Sequence, residues 1–243
     1  MSNERFLASL GSPRRRQMLG VLVGVAALVA GPVAAQSAPQ SGIREDLFRA
    51  IRRDDAHALR TALLRGADSN ALDDNGEPAI VLAARSKCWN AVRALAELRG
   101  TRLDAANRDG SNTLMYAALH GEIELVRSLV ARKAEVNKTG WTPLHFAAAN
   151  GHVEVIRFLL EHHAYIDAES PNGTTPLMMA ARQAQPSSVR LLMDEGADPT
   201  PRNQSGLDAA AYAKIAGDLE LSNWLGRQAE SFRLKNRAMG SKP

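Results

Sequence analysis

The stretch Gly140-Trp-Thr-Pro-Leu-His-Phe-Ala-Ala-Ala-Asn-Gly-His-Val-Glu-Val-Ile-Arg-Phe-Leu-Leu160 reads as two short helices joined by a sharp reversal. Thr142 suits the position just before a helix, where its hydroxyl accepts a backbone N–H. Pro143 suits the first helical position, where its missing N–H would have had no partner. Ala147 and Ala148 keep this first helix thin. Gly151 permits the reversal, because a left-handed backbone is cheap only for glycine. Val153, Ile156, Leu159 and Leu160 then recur at helical spacing and give the second helix a single apolar stripe. A helix pair of this size cannot bury its apolar faces alone, so it must stack on similar neighbours.

The neighbours are present. Turn glycines stand at Gly76, Gly110, Gly140, Gly173 and Gly206, spaced by 34, 30, 33 and 33 residues. Thr175-Pro-Leu-Met-Met-Ala-Ala181 repeats the helix start closely, and Asn112-Thr-Leu-Met-Tyr-Ala-Ala118 less closely. Pro78-Ala-Ile-Val-Leu-Ala-Ala84 and Leu207-Asp-Ala-Ala-Ala-Tyr-Ala213 are degenerate copies, and Gly121 takes the place of Gly151 in the third copy. The copies also end alike, at Gly66-Ala-Asp-Ser-Asn70, Ala134-Glu-Val-Asn137, Ala164-Tyr-Ile-Asp167 and Gly196-Ala-Asp198.

Residues 140–160 closely resemble an ankyrin repeat, whose motif reads T-P-L-H-x-A at about 33 residues per unit. The resemblance extends over roughly residues 43–227 and implies an all-α repeat solenoid: stacked helix-turn-helix pairs with short β-hairpin loops, curved so that hairpin tips and first helices share a concave face. Six units are predicted, at 43–71, 72–105, 106–138, 139–168, 169–200 and 201–227, the first without its own hairpin. Lys87 replaces the inter-helix glycine of the second unit, and Pro186 begins the second helix of the fifth. The fourth hairpin, between Asn137 and Gly140, is about three residues short and predicts a stubby tip beside Trp141. Arg44, Glu45, Asp46, Arg49, Arg52 and Arg53 give the first unit the polar outer surface that the end of an array requires. Residues 228–243, with Arg233, Lys235, Arg237 and Lys242, read as a basic tail that starts helical and frays, and residues 36–42 as a flexible leader.

Residues 1–35 read as an address. Charged residues precede the apolar run Met18–Ala30, which is short for the roughly 20 residues that comfortably span a bilayer. Small residues at Val33-Ala34-Ala35 predict cleavage after Ala35. Ser12-Pro-Arg-Arg-Arg-Gln-Met-Leu19 resembles a twin-arginine signal with Arg15 and Arg16 as the pair. Arg14 and Met18 depart from that pattern, which leaves the general secretory route open, and an uncleaved anchor is the bland alternative. Processing of this signal predicts a periplasmic protein with no stable membrane span. The formal net charge of +4 sits largely in this segment: it holds four arginines against one glutamate, and the remainder carries 26 basic against 25 acidic residues. The overall charge therefore argues little for nucleic acid as a partner.

No apparatus for catalysis is visible, whether a Ser/His/Asp or Cys/His set, a phosphate loop or a zinc motif. With Cys88 as the single cysteine, no internal disulfide or cysteine-rich metal site can form. Cys88 reads as a half-buried inert thiol, with a mixed disulfide as the sharper alternative. Adjacent His162 and His163 diverge by about 100 degrees on a helix and lack the facing geometry of a metal pair. Asp54-Asp55, Asp73-Asp74 and Glu122-x-Glu124 fall in turns or helix starts, where carboxylates are expected. His145 occupies the motif's histidine position and is predicted to bond neighbouring backbone or hydroxyl groups. Folding is expected to need no metal and no cofactor.

Trp89 and Trp224 fall on apolar positions of second helices and are predicted to be core. Trp141 instead falls at a position that is exposed and variable in the family, so it reads as a contact anchor, with local packing as the alternative. Mapping the family's variable surface positions onto this chain picks Arg108, Asp109, Ser111, Leu119 and His120 in the third unit. It picks Trp141, Ala149 and Asn150 in the fourth, and Asn172, Thr174, Arg182 and Gln183 in the fifth. The family resemblance implies a non-enzymatic scaffold that binds another protein, here a periplasmic partner that it protects or inhibits. A secreted effector acting on host or rival-cell proteins is the alternative.

Overall fold

A computed structural model describes residues 38–240, with side chains from 42 to 237. The expected signal peptide at 1–35 lies outside the described residues. The reversal at the centre of the deciding stretch forms as the sequence requires. Gly151 has φ 77, and a Cβ there would stand 2.4 Å from Gln185 Oε1 of the next unit. Glycine is needed twice over, for its backbone angle and for the close approach of a neighbour. Gly121 repeats this, with φ 70 and His152 Nδ1 at 2.5 Å from the same virtual atom. Lys87 and Ala184 hold the equivalent left-handed turns with side chains, at φ 58 and φ 51.

Twelve helices are found among the described residues. The first helices of the units are α1 (Ala38–Arg52), α3 (Ala79–Arg85), α5 (Thr113–Leu119), α7 (Pro143–Ala149), α9 (Pro176–Arg182) and α11 (Ala209–Ile215). The second helices are α2 (Ala56–Leu64), α4 (Trp89–Ala96), α6 (Ile123–Ala131), α8 (Val153–Glu161), α10 (Pro186–Asp194) and α12 (Leu219–Gly240). Each first helix packs on its own second helix and on the first helix of the next unit, so the first helices form one continuous layer. Helix α1 begins within the stretch read as a leader, and α12 carries residues 228–240 of the basic tail in helical form.

The caps follow the residues present. Asn112, Thr175 and Asp208 each accept a backbone N–H three residues on, from Met115, Met178 and Ala211. At Thr142 the cap runs through the histidine instead: its N–H donates to His145 Nδ1 at 3.2 Å, and its hydroxyl lies 2.9 Å from the same nitrogen. Leu114, Leu144 and Leu177 project from α5, α7 and α9 into the core, facing Leu125, Leu129, Ile156, Leu159, Val189 and Leu192 from the second helices. Full burial of each such side chain contributes about 1.5–3 kcal/mol.

The recurring Asn or Asp at the end of a unit ties it to the next. Asn70 accepts the N–H of Arg102 at 2.8 Å, Asp104 that of Glu135 at 2.7 Å, Asn137 that of Tyr165 at 2.8 Å, and Asp167 that of Asp198 at 3.0 Å. The hairpins are minimal, with isolated antiparallel bridges Leu72↔Pro78 and Ala106↔Asn112. Trp89 and Trp224 pack against the core from its rim, half-buried: Trp89 meets His120 edge-on at 5.7 Å, and Arg190 lies over Trp224 at 5.4 Å. Cys88 is buried, its thiol directed at the Ser86 carbonyl at 3.6 Å, and burial raises its pKa. A protonated, enclosed thiol is a poor nucleophile.

Candidate protein-binding face

The hairpin tips are rigid because their side chains fold back on their own backbones. Asn107 Oδ1 accepts the N–H groups of Asp109 and Ser111 at 3.1 and 2.9 Å, which leaves Arg108 and Asp109 exposed at the tip. Asn172 Oδ1 accepts from Ser170 Oγ at 2.6 Å in the fifth unit. Neighbouring tips are also tied together. Lys138 Nζ donates to the Gly110 carbonyl at 2.6 Å, and the Gln204 N–H to that of Asn172 at 2.9 Å.

Behind the tips runs a row that sequence reading missed. Leu82, Tyr116, Phe146, Met179 and Tyr212 occupy the same position in α3, α5, α7, α9 and α11, and all five are half-buried. The row faces the hairpins, since Asn107 Nδ2 donates to Tyr116 Oη at 3.3 Å and Asn203 Nδ2 to Tyr212 Oη at 2.7 Å. A signal for it existed: these residues are spaced by 34, 30, 33 and 33, the spacing of the turn glycines. Trp141 adjoins the row, with ring centroids 5.2 Å from His145 and 6.2 Å from Phe146. It is half-buried, so packing and display are combined in one side chain. At the edge of the row, Arg85 grips Glu77 through two nitrogens at 3.0 and 2.7 Å. With Asn75, Asn107, Arg108 and Asp109 this pair lines a polar cleft of about 260 Å³.

Of the residues picked from sequence, Arg108, Asp109, Asn150, Asn172, Arg182 and Gln183 are exposed, and Ser111, Leu119, His120 and Trp141 are half-buried. Leu119 and His120, Ala149 and Asn150, and Arg182 and Gln183 lie at the same ends of three adjacent first helices. Two assignments are corrected. Ala149 is 6% exposed and Thr174 2% exposed, so neither offers a side chain to a partner. Ala149 is the last residue of α7, and Thr174 is enclosed with its carbonyl on His145 Nε2 at 2.9 Å and its hydroxyl accepting from Asn203 Nδ2 of the next unit at 3.4 Å. His120 sits against Trp89 and its pKa is lowered, first by burial and then by Lys87 and His152, which favours a neutral ring. Among the described residues no group of three His, Cys, Asp or Glu side chains could hold a metal ion, and no helix is long and apolar enough to cross a membrane.

Comparison with known proteins agrees with this architecture. The profile described as ankyrin repeats (3 copies) matches residues 47–139 and 132–203. The ankyrin repeat protein YahD of Escherichia coli K12 is 27% identical over 189 residues, covering 74% of this chain and 94% of that protein. The ankyrin repeat domain-containing protein SAT10 of Stachybotrys chartarum is 37% identical over 98 residues, covering 40% of this chain but 5% of that much longer protein. The crystal structure of an ankyrin repeat domain from Acinetobacter baumannii AYE superposes with a TM-score of 0.64 at 26% identity, covering 74% of this chain and 95% of the other. Proteins built on these repeats are in general scaffolds that bind other proteins without catalysis. The turn glycines, the threonine–proline helix starts, the two-layer stack and the matched profile converge, and the chain belongs to the ankyrin-repeat family.

Proposed function

We propose that this chain is an exported scaffold that works in the periplasm, holding a partner protein against its hairpin face and thereby protecting or inhibiting it. The single observation that carries the binding reading is the half-buried row Leu82, Tyr116, Phe146, Met179 and Tyr212, with Trp141 beside it and the charged tips Arg108 and Asp109 at its border. Partly exposed aromatic side chains ringed by polar groups are the usual composition of a protein contact. Export is supported by the charged, apolar and small-residue order of residues 1–35.

The test is affinity capture from a periplasmic extract, identified by mass spectrometry, with the chain and two variants as bait. Trp141→Ala is expected to weaken capture about thirtyfold, the equivalent of about 2 kcal/mol. Arg108→Glu, at an exposed tip, is expected to weaken it without altering the melting temperature. Equal capture by the parent and both variants would remove the hairpin face as the binding site. Detection of the protein in washed culture supernatant and not in the periplasmic fraction would replace the periplasmic reading with that of a secreted effector.

A further inference from the structure

The ends of the second helices form a different edge of the array, and its first two seams carry open clefts. Leu63, Leu64, Ala67 and Leu98 line an open cleft of about 330 Å³ between the ends of α2 and α4, with the Arg60–Glu97 ion pair at its side. Leu64 is 89% exposed, the highest value for a large apolar side chain among the described residues. The next seam holds a cleft of about 530 Å³ lined by Arg99, Arg102, Arg132 and Lys133, against a single acid, Asp104. The two clefts adjoin. Leu98 lines the first, its carbonyl accepts from Arg132 Nη2 at 3.0 Å, and Arg99 lines the second.

These cations differ from the arginines within α2, α4, α6 and α8. Arg60, Arg93, Arg127 and Arg157 each pair with a glutamate of the following unit, Glu97, Glu122, Glu154 and Glu195. Among the described residues none of Arg99, Arg102, Arg132 and Lys133 has a carboxylate within 4.0 Å, and the Asp104 carboxylate is engaged by the Glu135 N–H at 2.7 Å. Attraction to helix C-termini accounts for Arg132 and Lys133. It does not account for Arg99 and Arg102, which lie in the loop after α4, or for the bare leucine beside them. Lys133 is held at φ 69, as His163 is at φ 63 in the fourth unit, where Gly66 and Gly196 stand in the first and fifth.

The seam loops offer little to an extended peptide, because their inter-unit backbone groups are taken. Asn70 bonds both the Gly100 carbonyl and the Arg102 N–H, and the Thr101 hydroxyl donates to Leu95. What remains is unpaired positive charge beside exposed aliphatic surface, the combination that suits an interface carrying anionic headgroups over hydrocarbon. We propose that this edge docks reversibly on an anionic lipid surface. Leu64 and Leu98 enter the headgroup layer, and Arg99, Arg102, Arg132 and Lys133 face lipid phosphate oxygens.

The test is co-sedimentation of the full chain with phosphatidylglycerol vesicles and, separately, with neutral phosphatidylcholine vesicles, read alongside amide hydrogen exchange. Because residues 18–30 are apolar in every variant, the differences between variants and the local exchange pattern carry the result. The anionic vesicles are expected to slow exchange at residues 63–67 and 97–105, and the neutral ones to leave it unchanged. Arg102→Glu with Lys133→Glu is expected to weaken anionic-vesicle binding at least twenty-fivefold, about fivefold for each lost cation, and Leu64→Ser several-fold. Variant binding equal to the parent's, or exchange unchanged by anionic vesicles, overturns the proposal. Protection by inorganic tripolyphosphate but not by vesicles also overturns it, in favour of a soluble-anion site. If a variant melts early, the exchange pattern of the parent chain decides alone.

Discussion

His145 Nε2 lies 2.9 Å from the carbonyl oxygen of Thr174, 29 residues away, while its Nδ1 takes the N–H of Thr142 at 3.2 Å. A backbone N–H can only donate, so Nδ1 accepts and Nε2 carries the proton. One neutral imidazole thus caps α7 and ties the fourth unit to the fifth. The ring is fully buried, and burial holds its pKa down to about 4.

Acid should therefore loosen this seam. An unfolded histidine titrates near 6.5, so between about pH 6.5 and 4 the unfolded chain takes up a proton that the folded chain refuses. Stability falls across that window by on the order of 3 kcal/mol and gains no further loss from this group below it. Urea denaturation of the parent and of His145→Gln from pH 7 to 4 measures this. The parent should lose stability more steeply with acid, and parallel pH profiles would mean that the ring is not a buried neutral group.

The inter-helix turns give a pair of opposed outcomes. Gly151→Ala places a Cβ on a left-handed backbone and against Gln185, and should cost about 2 kcal/mol. Ala184→Gly relieves the same backbone strain in the fifth unit and should stabilise by about 0.5–1 kcal/mol after the added freedom of the unfolded chain is allowed for. Chemical denaturation midpoints that move in the same direction for both would contradict the assignment of these turns.

Two buried hydroxyls without partners are correctable. Ser188 is fully buried in α10, where α8 has Val155, and Ser188→Ala should stabilise by about 1 kcal/mol. Thr113 stands at the first position of α5, beside the Ala106↔Asn112 bridge, where Ala79 donates its N–H in the equivalent bridge of the second unit. Thr113→Val, which keeps the N–H and drops the unpartnered hydroxyl, should therefore stabilise by about 1 kcal/mol. A lower melting temperature for either variant would show that its hydroxyl has a partner.

Asp167 holds the seam position that is asparagine at Asn70 and Asn137, whose amides donate back to the Gly100 and His163 carbonyls at 2.9 and 2.7 Å. A carboxylate cannot donate in return. Burial first, and then Asp198, raise the Asp167 pKa, so its contribution is most favourable below the unfolded value of 3.8 and is lost as pH rises through the folded one. Asp167→Asn should stabilise the protein at pH 7, by about 1 kcal/mol, and the gain should shrink as pH falls towards 3.8. A gain that is independent of pH would exclude the ionised carboxylate as its source.

The sequence by itself determined the unit and the array. Turn glycines at regular spacing, Pro143 and Pro176 at helix starts and the apolar stripes of the second helices act within a few residues of chain, so local rules suffice to read them. Asn70, Asn137 and Asp167 were visible as a recurrence at the ends of units, but their bonds to Arg102, Tyr165 and Asp198 exist only once two units are stacked. Burial at the hairpin face was decided in the same way. Thr174 is enclosed between His145, which crosses a seam to its carbonyl, and Asn203, which donates to its hydroxyl, Ala149 is buried at the end of α7, and Trp141 is half-buried with its ring on His145 and Phe146. Whether a surface position of one repeat is open or covered depends on how far the next repeat is shifted and turned against it. That offset is set by side-chain packing along the whole stack, which only the tertiary structure fixes.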